Sequence, residues 1–203
     1  MSFSIIGIIT IIIIAIGVID SSKSAKGFYK TLFFRPNNRE EIDESIAYLK
    51  SKRPIRRREY QPDERLWEKY QNHFWEEPVL TELAGDILRH LGLPNNAPPV
   101  YVVDDMEGNA AGKYYGNAIA IKIQKYTRPN EIFAVLIHEC MHYYLRLTGL
   151  GFPDVHKNEI LTDTATIYMG FYEYIYHGYI MVGYLRDSEI IYVKKKLAEL
   201  RNI

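Results

Sequence analysis

The stretch IFAVLIHECMHYYL, residues 132–145, decides the fold. It is an apolar run of helix-forming and β-branched residues without Gly or Pro, and His138, Glu139 and His142 interrupt it. Because the two histidines are four residues apart, both imidazoles lie on one face of a helix and can direct a nitrogen at the same ion. Glu139 follows the first histidine, where its carboxylate can reach a metal-bound water without being a ligand. The stretch therefore predicts a helix that carries two candidate metal ligands and a carboxylate within reach of a metal-bound water.

Two other interpretations of these three residues have to be weighed. Histidines on a buried helix are often hydrogen-bonded core residues, but that interpretation requires three residues to coincide at metal-site spacing inside an apolar run. Glu139 and His142 also match one half of a ferritin-like di-iron site. That site needs a second Glu-x-x-His, and the sequence contains none.

A second pair of polar residues follows in NEILTDTATIYMGFYEYIY, residues 158–176. Glu159 and Asp163 are four residues apart, so one face of a predicted helix presents two carboxylates. One can bind the metal while the other orients a ligand histidine through its second ring nitrogen. Either carboxylate can bind zinc at about 2.0–2.2 Å. The longer side chain of Glu159 favours it as the ligand, since it bridges more easily between packed helices.

Composition narrows the class of protein. A chain of 203 residues with 47% hydrophobic content can bury one core, which predicts one domain with terminal additions. The 25 basic and 25 acidic residues give no net charge, which argues against a nucleic-acid partner. Cys140 is the single cysteine, so an intramolecular disulfide and a cysteine-ligated zinc finger are excluded. A metal site in this chain must therefore use histidines and carboxylates.

The N-terminal stretch FSIIGIITIIIIAIGVI, residues 3–19, contains no charged residue. Its length is at the short end of what spans a bilayer. A cleaved signal peptide would need a basic segment before the run and a small-x-small cleavage site after it, and neither is present. We therefore expect residues 1–22 to be an uncleaved membrane anchor rather than a signal peptide or a core helix. The basic residues that follow place the rest of the chain in the cytoplasm by the positive-inside rule. These residues are Lys23, Lys26, Lys30 and Arg35.

Residues 23–62 are interpreted as a basic linker with a short amphipathic helix. Ile42, Ile46 and Leu49 recur at helical spacing within this segment. A basic cluster then follows, which either contacts anionic lipid head groups or forms a solvated linker. The cluster consists of Arg53, Arg56, Arg57 and Arg58.

Residues 63–203 are expected to form a single α+β domain. The predicted order is two helices, two strands, the metal helix, the second ligand-bearing helix and a final covering helix. The segments outside the two ligand-bearing helices are helices at 63–77 and 79–93, strands at 98–105 and 117–123, and a helix at 187–200.

The sequence HECMH, residues 138–142, followed by NEILTD, residues 158–163, resembles the signature of the gluzincin metallopeptidases. That signature is H-E-x-x-H followed by a glutamate ligand in E-x-x-x-D. The order also resembles the membrane-associated gluzincins related to prenyl-protein and heat-shock metallopeptidases, and the minigluzincins. In those families a strand, a Gly/Asn-rich turn and an edge strand precede the metal helix, as VYVVDD, GNAAG and NAIAIKI do here. The resemblance covers roughly residues 98–175 and is specific only in the metal ligands.

The resemblance implies a zincin-like fold, with a small sheet packed on the H-E-x-x-H helix and on a second ligand-bearing helix. It implies that His138, His142 and Glu159 bind one Zn²⁺ per chain. In this assignment Glu139 is the general base, and Asp163 orients a ligand histidine. Zinc would lower the pKa of a bound water towards about 7 while Glu139 takes the proton and delivers it to the leaving amine.

The predicted function is therefore a membrane-anchored zinc endopeptidase that acts on protein or peptide substrates. The strand at 117–123, as the expected edge strand, could pair with an extended peptide. Four downstream residues are candidates for contacting the oxyanion or the substrate, and the sequence does not choose among them. They are Tyr168, Tyr172, His177 and Arg186. The alternative function is a non-catalytic, membrane-tethered adaptor that uses zinc for stability.

Overall fold

The computed structural model describes residues 37–55, 58–93, 97–107, 110–179 and 183–201. These residues form a mostly helical α+β structure with one small sheet. The helices are α1 (Arg39–Lys52), α2 (Glu64–His73), α3 (Glu77–His90), α4 (Pro129–Leu147), α5 (Val155–Tyr168), α6 (Tyr172–Gly178) and α7 (Asp187–Arg201). The strands are β1 (Val100–Val103), β2 (Gly112–Tyr114) and β3 (Ile119–Lys122).

The membrane anchor expected at residues 3–19 lies outside the described residues, as do the basic residues that follow it. Within the described ranges, no helix combines the length and the apolar character needed to cross a membrane.

Helix α4 is the centre of the structure. It packs against α3, α5 and α6 and against strands β2 and β3. Residues 132–137 are all buried, as are Cys140 and Met141. Because neighbours cover the helix on most sides, an apolar side chain at almost every position of its first three turns is stabilising, at about 1.5–3 kcal/mol for a fully buried large side chain. This explains why the stretch that carries the histidines is so uniformly apolar.

The sheet places β3 in the middle, in the order β1-β3-β2. β1 pairs with β3 in parallel, with Val100 opposite Ile119, and β2 pairs with β3 antiparallel, with Gly112 opposite Ile121. The prediction that residues 117–123 form the edge strand is therefore wrong, because β2 lies at that edge. The physical reason is that three successive residues of β3, which point to opposite faces of the sheet, are all buried. Ile119, Ala120 and Ile121 are all buried, so both faces of β3 are covered, as a central strand requires.

Helix α1 belongs to the same core as the rest of the domain. Ile42, Ile46 and Leu49 are buried and join the core cluster, and α1 packs against α5. The start of α1 is held by a buried polar contact, in which the backbone N–H of Asn38 donates to Glu189 of α7 at 2.9 Å. The segment interpreted as a linker, residues 23–62, thus contains a helix that packs against α5.

Candidate metal centre

Three donor atoms converge where α4 meets α5. Nε2 of His138 lies 3.0 Å from Nε2 of His142, and Oε2 of Glu159 lies 3.1 Å from His142 and 3.3 Å from His138. The two histidines come from successive turns of α4, and Glu159 comes from the first turns of α5. These three residues form a buried to half-buried group that could hold a metal ion.

The size of this triangle fits a small tetrahedral metal ion. With metal–ligand distances of about 2.0–2.1 Å, tetrahedral geometry places neighbouring ligand atoms about 3.3–3.4 Å apart. The observed separations of 3.0–3.3 Å are slightly shorter, so the ligands need to move apart by only a few tenths of an ångström. Two imidazoles and one carboxylate are also a donor set that zinc accepts, and they leave a fourth position open.

In the triad of His138, His142 and Glu159, the pKa of the carboxyl group depends on the histidines, and the pKa of His138 depends on the carboxylates. Burial alone would raise the pKa of Glu159, but hydrogen bonds from His138 and His142 outweigh burial and lower this pKa to about 2. Burial alone would lower the pKa of His138, but Asp163 and Glu159 outweigh it and hold this pKa well above its ordinary value. The triad without metal therefore favours an ionised carboxylate beside a protonated imidazole, and a bound cation would replace that proton.

The second nitrogen of each ligand histidine also has a partner. Nδ1 of His138 lies 2.8 Å from Oδ1 of Asp163, and Nδ1 of His142 lies 3.4 Å from Oγ1 of Thr162. Both partners are on α5 and both are fully buried. Such contacts fix the orientation of the ring and keep the proton on Nδ1, so that Nε2 presents its lone pair to a metal. Asp163 thus contacts His138 on the side of the ring opposite to Glu159.

Sequence reasoning missed Tyr179, which follows α6. Its hydroxyl donates to Oδ1 of Asp163 at 2.6 Å and lies 2.9 Å from Nδ1 of His138. Burial, together with the negative charge of Asp163, raises the pKa of Tyr179 well above its usual range, so the phenol keeps its proton. No spacing motif includes Tyr179, and it is one of 17 tyrosines, so the sequence contained no signal that distinguished it.

Glu139 occupies the other side of the centre, beside β2. Its side chain is buried, and this burial raises the pKa of its carboxyl group despite the opposing effect of His138 and His142. The backbone of Tyr114 forms a hydrogen bond with the carboxylate. At Gly112 a Cβ atom would lie only 3.0 Å from Cγ and Oε1 of Glu139 and 2.5 Å from Cγ1 of Val135. Only a glycine at position 112 lets β2 approach α4 this closely.

The four candidates for oxyanion or substrate contact lie in different surroundings. The hydroxyl of buried Tyr168 donates to the carbonyl oxygen of Arg53 at 2.8 Å. The ring of Tyr172 stacks on Tyr176 and lies 3.5 Å from Nζ of Lys194. None of these contacts involves the triad.

The other two candidates have exposed side chains. His177 lies 3.7 Å from a carboxylate oxygen of Glu173, on the surface of α6. Arg186 precedes α7, and its backbone N–H donates to Glu189. These contacts also lie outside the triad.

Comparisons of this chain with protein-family models, with curated proteins and with solved structures returned no match.

Proposed function

We propose that this chain is a zinc-dependent endopeptidase that residues 3–19 anchor to a membrane, with the domain on the cytoplasmic side. One observation carries the catalytic part of the proposal. A buried carboxylate, Glu139, lies beside three converging donor atoms and beside the edge of β2. The gluzincin-like order of HECMH and NEILTD supports the same conclusion. The membrane location is supported by the charge-free run at residues 3–19 and by the basic residues that follow it.

The triad of His138, His142 and Glu159 would hold the zinc ion. A bound zinc ion polarises a carbonyl group and lowers the pKa of a coordinated water towards about 7. Asp163 and Thr162 support this task by orienting the two imidazoles. The single carboxylate ligand leaves a net positive charge at the centre, which favours the developing negative charge of a peptide carbonyl under attack.

Glu139 would move the proton. Its burial raises the pKa of the carboxyl group, which makes the carboxylate a better base than an exposed glutamate. It would accept a proton from the attacking water at a carboxylate oxygen and deliver it to the nitrogen of the leaving amine. The hydrogen bond from Tyr114 holds the carboxylate at the edge of β2.

The two outer edges of the sheet differ in a way that supports a peptide substrate at β2. At β1 the backbone N–H groups of Val100 and Val102 donate to Thr81 and Glu77 of α3, so side chains cover this edge. At β2 no equivalent covering contacts are found in the described part of the chain, apart from that of Tyr114 with Glu139. An extended peptide can therefore add to β2 by main-chain hydrogen bonding.

The register of β2 indicates which groups would receive the peptide. Tyr115 donates to Ala118, and Lys122 donates to Ala111, so these residues belong to the pairs that hydrogen-bond within the sheet. In an antiparallel ladder such pairs alternate with pairs whose backbone groups point outward. Gly112 and Tyr114 are in the outward set, but the N–H of Tyr114 already donates to Glu139, so Gly112, which also lies next to Glu139, is the group left to receive the peptide. A peptide paired with β2 would thus pass directly over the proposed base.

Replacing Glu139 tests this function. We expect Glu139→Gln to retain zinc at the wild-type level and to lose hydrolysis by at least about 100-fold, since the residue acts on the proton and not on the metal. The measurements are the zinc content of the purified full-length protein and its digestion of a peptide library. Glu173→Gln, an exposed glutamate on α6, is the matched control and should keep both properties. If the wild-type protein binds zinc but cleaves no peptide, the adaptor function replaces this proposal.

The anchor is tested separately. We expect the full chain to resist extraction from membranes by carbonate, and a variant that lacks residues 1–22 to be soluble and to keep its zinc. Recovery of the native protein with an N-terminus near Ser24 would show that the segment is cleaved instead.

A further inference from the structure

The carboxylate of Asp163 is the meeting point of contacts from three separate parts of the chain. Oδ1 accepts from the hydroxyl of Tyr179 at 2.6 Å and lies 2.8 Å from Nδ1 of His138. Oδ2 accepts from the backbone N–H groups of Tyr184 at 2.6 Å and Leu185 at 3.1 Å. No part of the Asp163 side chain is exposed, so these donors, not water, satisfy the charge.

Tyr179 contacts both Asp163 and the metal-ligand histidine. Nε2 of His138 needs a free lone pair to hold a metal, so the proton of this imidazole must be on Nδ1. This N–H then points at Oδ1 of Asp163, with the oxygen of Tyr179 2.9 Å away as a second neighbour. The phenol proton is donated to the same oxygen of Asp163. Tyr179 therefore limits rotation of the carboxylate and of the imidazole together.

The backbone around Gly183 keeps Tyr179 in this position. Gly183 has a φ of +95°, and a Cβ atom there would collide with the ring of Tyr179. The next two residues donate the N–H groups that reach Oδ2 of Asp163. The segment 183–185 thus packs against the tyrosine ring and holds the same carboxylate that the tyrosine hydroxyl holds.

We propose that Tyr179 is a positioning residue for the metal centre, which acts through Asp163 on His138 and slows the loss of the metal. The proposal rests on the metal-binding part of the proposed function and does not depend on peptide hydrolysis. Outer contacts that orient a ligand histidine commonly contribute 10–100-fold to metal affinity. Because Asp163 keeps its two backbone donors when the phenol is removed, we expect the effect of Tyr179 at the lower end of this range.

The test is Tyr179→Phe in the full chain, which removes one hydroxyl and keeps the ring. We expect zinc affinity, measured by competition with a chelator, to fall about tenfold, and zinc release to become faster by a similar factor. The spectrum of the cobalt-substituted protein should also change, because it reports the geometry of the ligands. An affinity, a release rate and a cobalt spectrum that all match the wild type would overturn the proposal.

Tyr168→Phe is the matched control. Tyr168 is also fully buried, and its hydroxyl donates to the carbonyl oxygen of Arg53. A purely structural role of the Tyr179 hydroxyl predicts that both variants lower the unfolding temperature of the metal-free protein and leave zinc affinity unchanged. The positioning role predicts a loss of zinc affinity in Tyr179→Phe alone.

A double-variant cycle tests the route through Asp163. If Tyr179 acts through this carboxylate, Tyr179→Phe should have a smaller effect on zinc affinity in an Asp163→Asn background than in the wild type. Fully additive losses would contradict that route. Failure of the wild-type protein to bind zinc would instead remove the proposed function, so the two failures are distinguishable.

Discussion

Two carboxylates on α5, four residues apart, have opposite surroundings. The side chain of Glu159 is 19% exposed, and its Oε2 lies within 3.3 Å of Nε2 of both ligand histidines. The side chain of Asp163 is fully buried and meets the opposite nitrogen of His138. One turn of helix thus separates Glu159, which is partly exposed to solvent, from Asp163, which is enclosed by protein hydrogen-bond donors. Helical spacing brings both carboxylates to α4, and the packing around each one gives it different contacts. Glu159 meets Nε2 of both histidines, and Asp163 meets Nδ1 of His138.

The largest effect is expected from Glu159→Ala. This change leaves two imidazoles as the only protein ligands, and a zinc site of this class needs three. We expect tight zinc binding to disappear, as measured by chelator competition, together with all zinc-dependent stabilisation of the fold. Glu44→Ala is a control, because Glu44 is an exposed carboxylate that pairs with Lys157 of α5. Near-normal zinc affinity in Glu159→Ala would reverse the assignment of the two carboxylates.

Asp163→Ala should have a smaller effect on zinc but a larger one on the metal-free fold. Without the carboxylate the imidazole of His138 loses its orientation, so zinc affinity should fall by about 10–100-fold. The N–H groups of half-buried Tyr184 and buried Leu185 would also lose their acceptor, at roughly 1–3 kcal/mol for each group that stays both buried and unsatisfied. Chemical denaturation of the metal-free variant measures this second effect. If the metal-free Asp163→Ala protein is as stable as the wild type, the hydrogen bonds that Asp163 accepts do not stabilise the fold.

Gly112→Ala extends the comparison to Glu139, the carboxylate on the side of β2. The added methyl group would press on Val135 and on the side chain of Glu139, whose atoms are the nearest to it. We expect hydrolysis to fall at least about tenfold, since misplacing a catalytic group by about 1 Å is costly, while zinc affinity remains. Gly85→Ala is the control, because among the residues that the structure describes its Cβ would meet only Cβ of Ala97, at an ordinary contact distance of 3.7 Å. Loss of zinc in Gly112→Ala would show that β2 supports the ligands as well as the base.

The smallest effect is expected in the pH dependence of zinc-induced stabilisation. The pKa of His138 is raised above 6.5, so its contribution to the metal-free fold is complete below that value and is lost as pH rises through the folded-state pKa. The pKa of Glu159 is lowered from 4.5 to about 2, so its contribution is complete above 4.5 and is lost as pH falls. The triad therefore stabilises the metal-free protein most between these limits.

Zinc must displace the proton of His138, so the rise in unfolding temperature on adding zinc should be larger at about pH 7.5 than at about pH 5.5. Thermal unfolding with and without zinc, at both pH values, measures this rise in unfolding temperature. Equal shifts at both pH values would contradict proton displacement at this centre.

Parts of this structure could be predicted from short stretches of sequence. The uniform apolar run of residues 132–145 predicts α4, and the four-residue spacings predict which side chains share a helix face. The convergence of His138, His142 and Glu159 follows once two such helices pack face to face. Catalysis, the identity of the metal and the membrane anchor stay predictions that the proposed experiments test.

Other parts depended on contacts between residues distant in the chain. Residues 117–123 are predicted to form a strand, but only the pairing with both β1 and β2 makes β3 central. Of the tyrosines from residue 168 onward, the sequence offered Tyr168 and Tyr172 as candidates, while the structure brings Tyr179 to the centre.

By itself, the sequence determined which polar side chains share one face of a helix, because local periodicity depends only on neighbours within one or two turns. Tertiary structure alone decided which carboxylate is enclosed and which strand is central in the sheet. The donors that enclose Asp163 come from 16 to 25 residues away, and the contact that holds the start of α1 joins Asn38 to Glu189 across 151 residues. Contacts of this range arise when separate elements bury their apolar faces together, and no local pattern encodes which polar groups then meet.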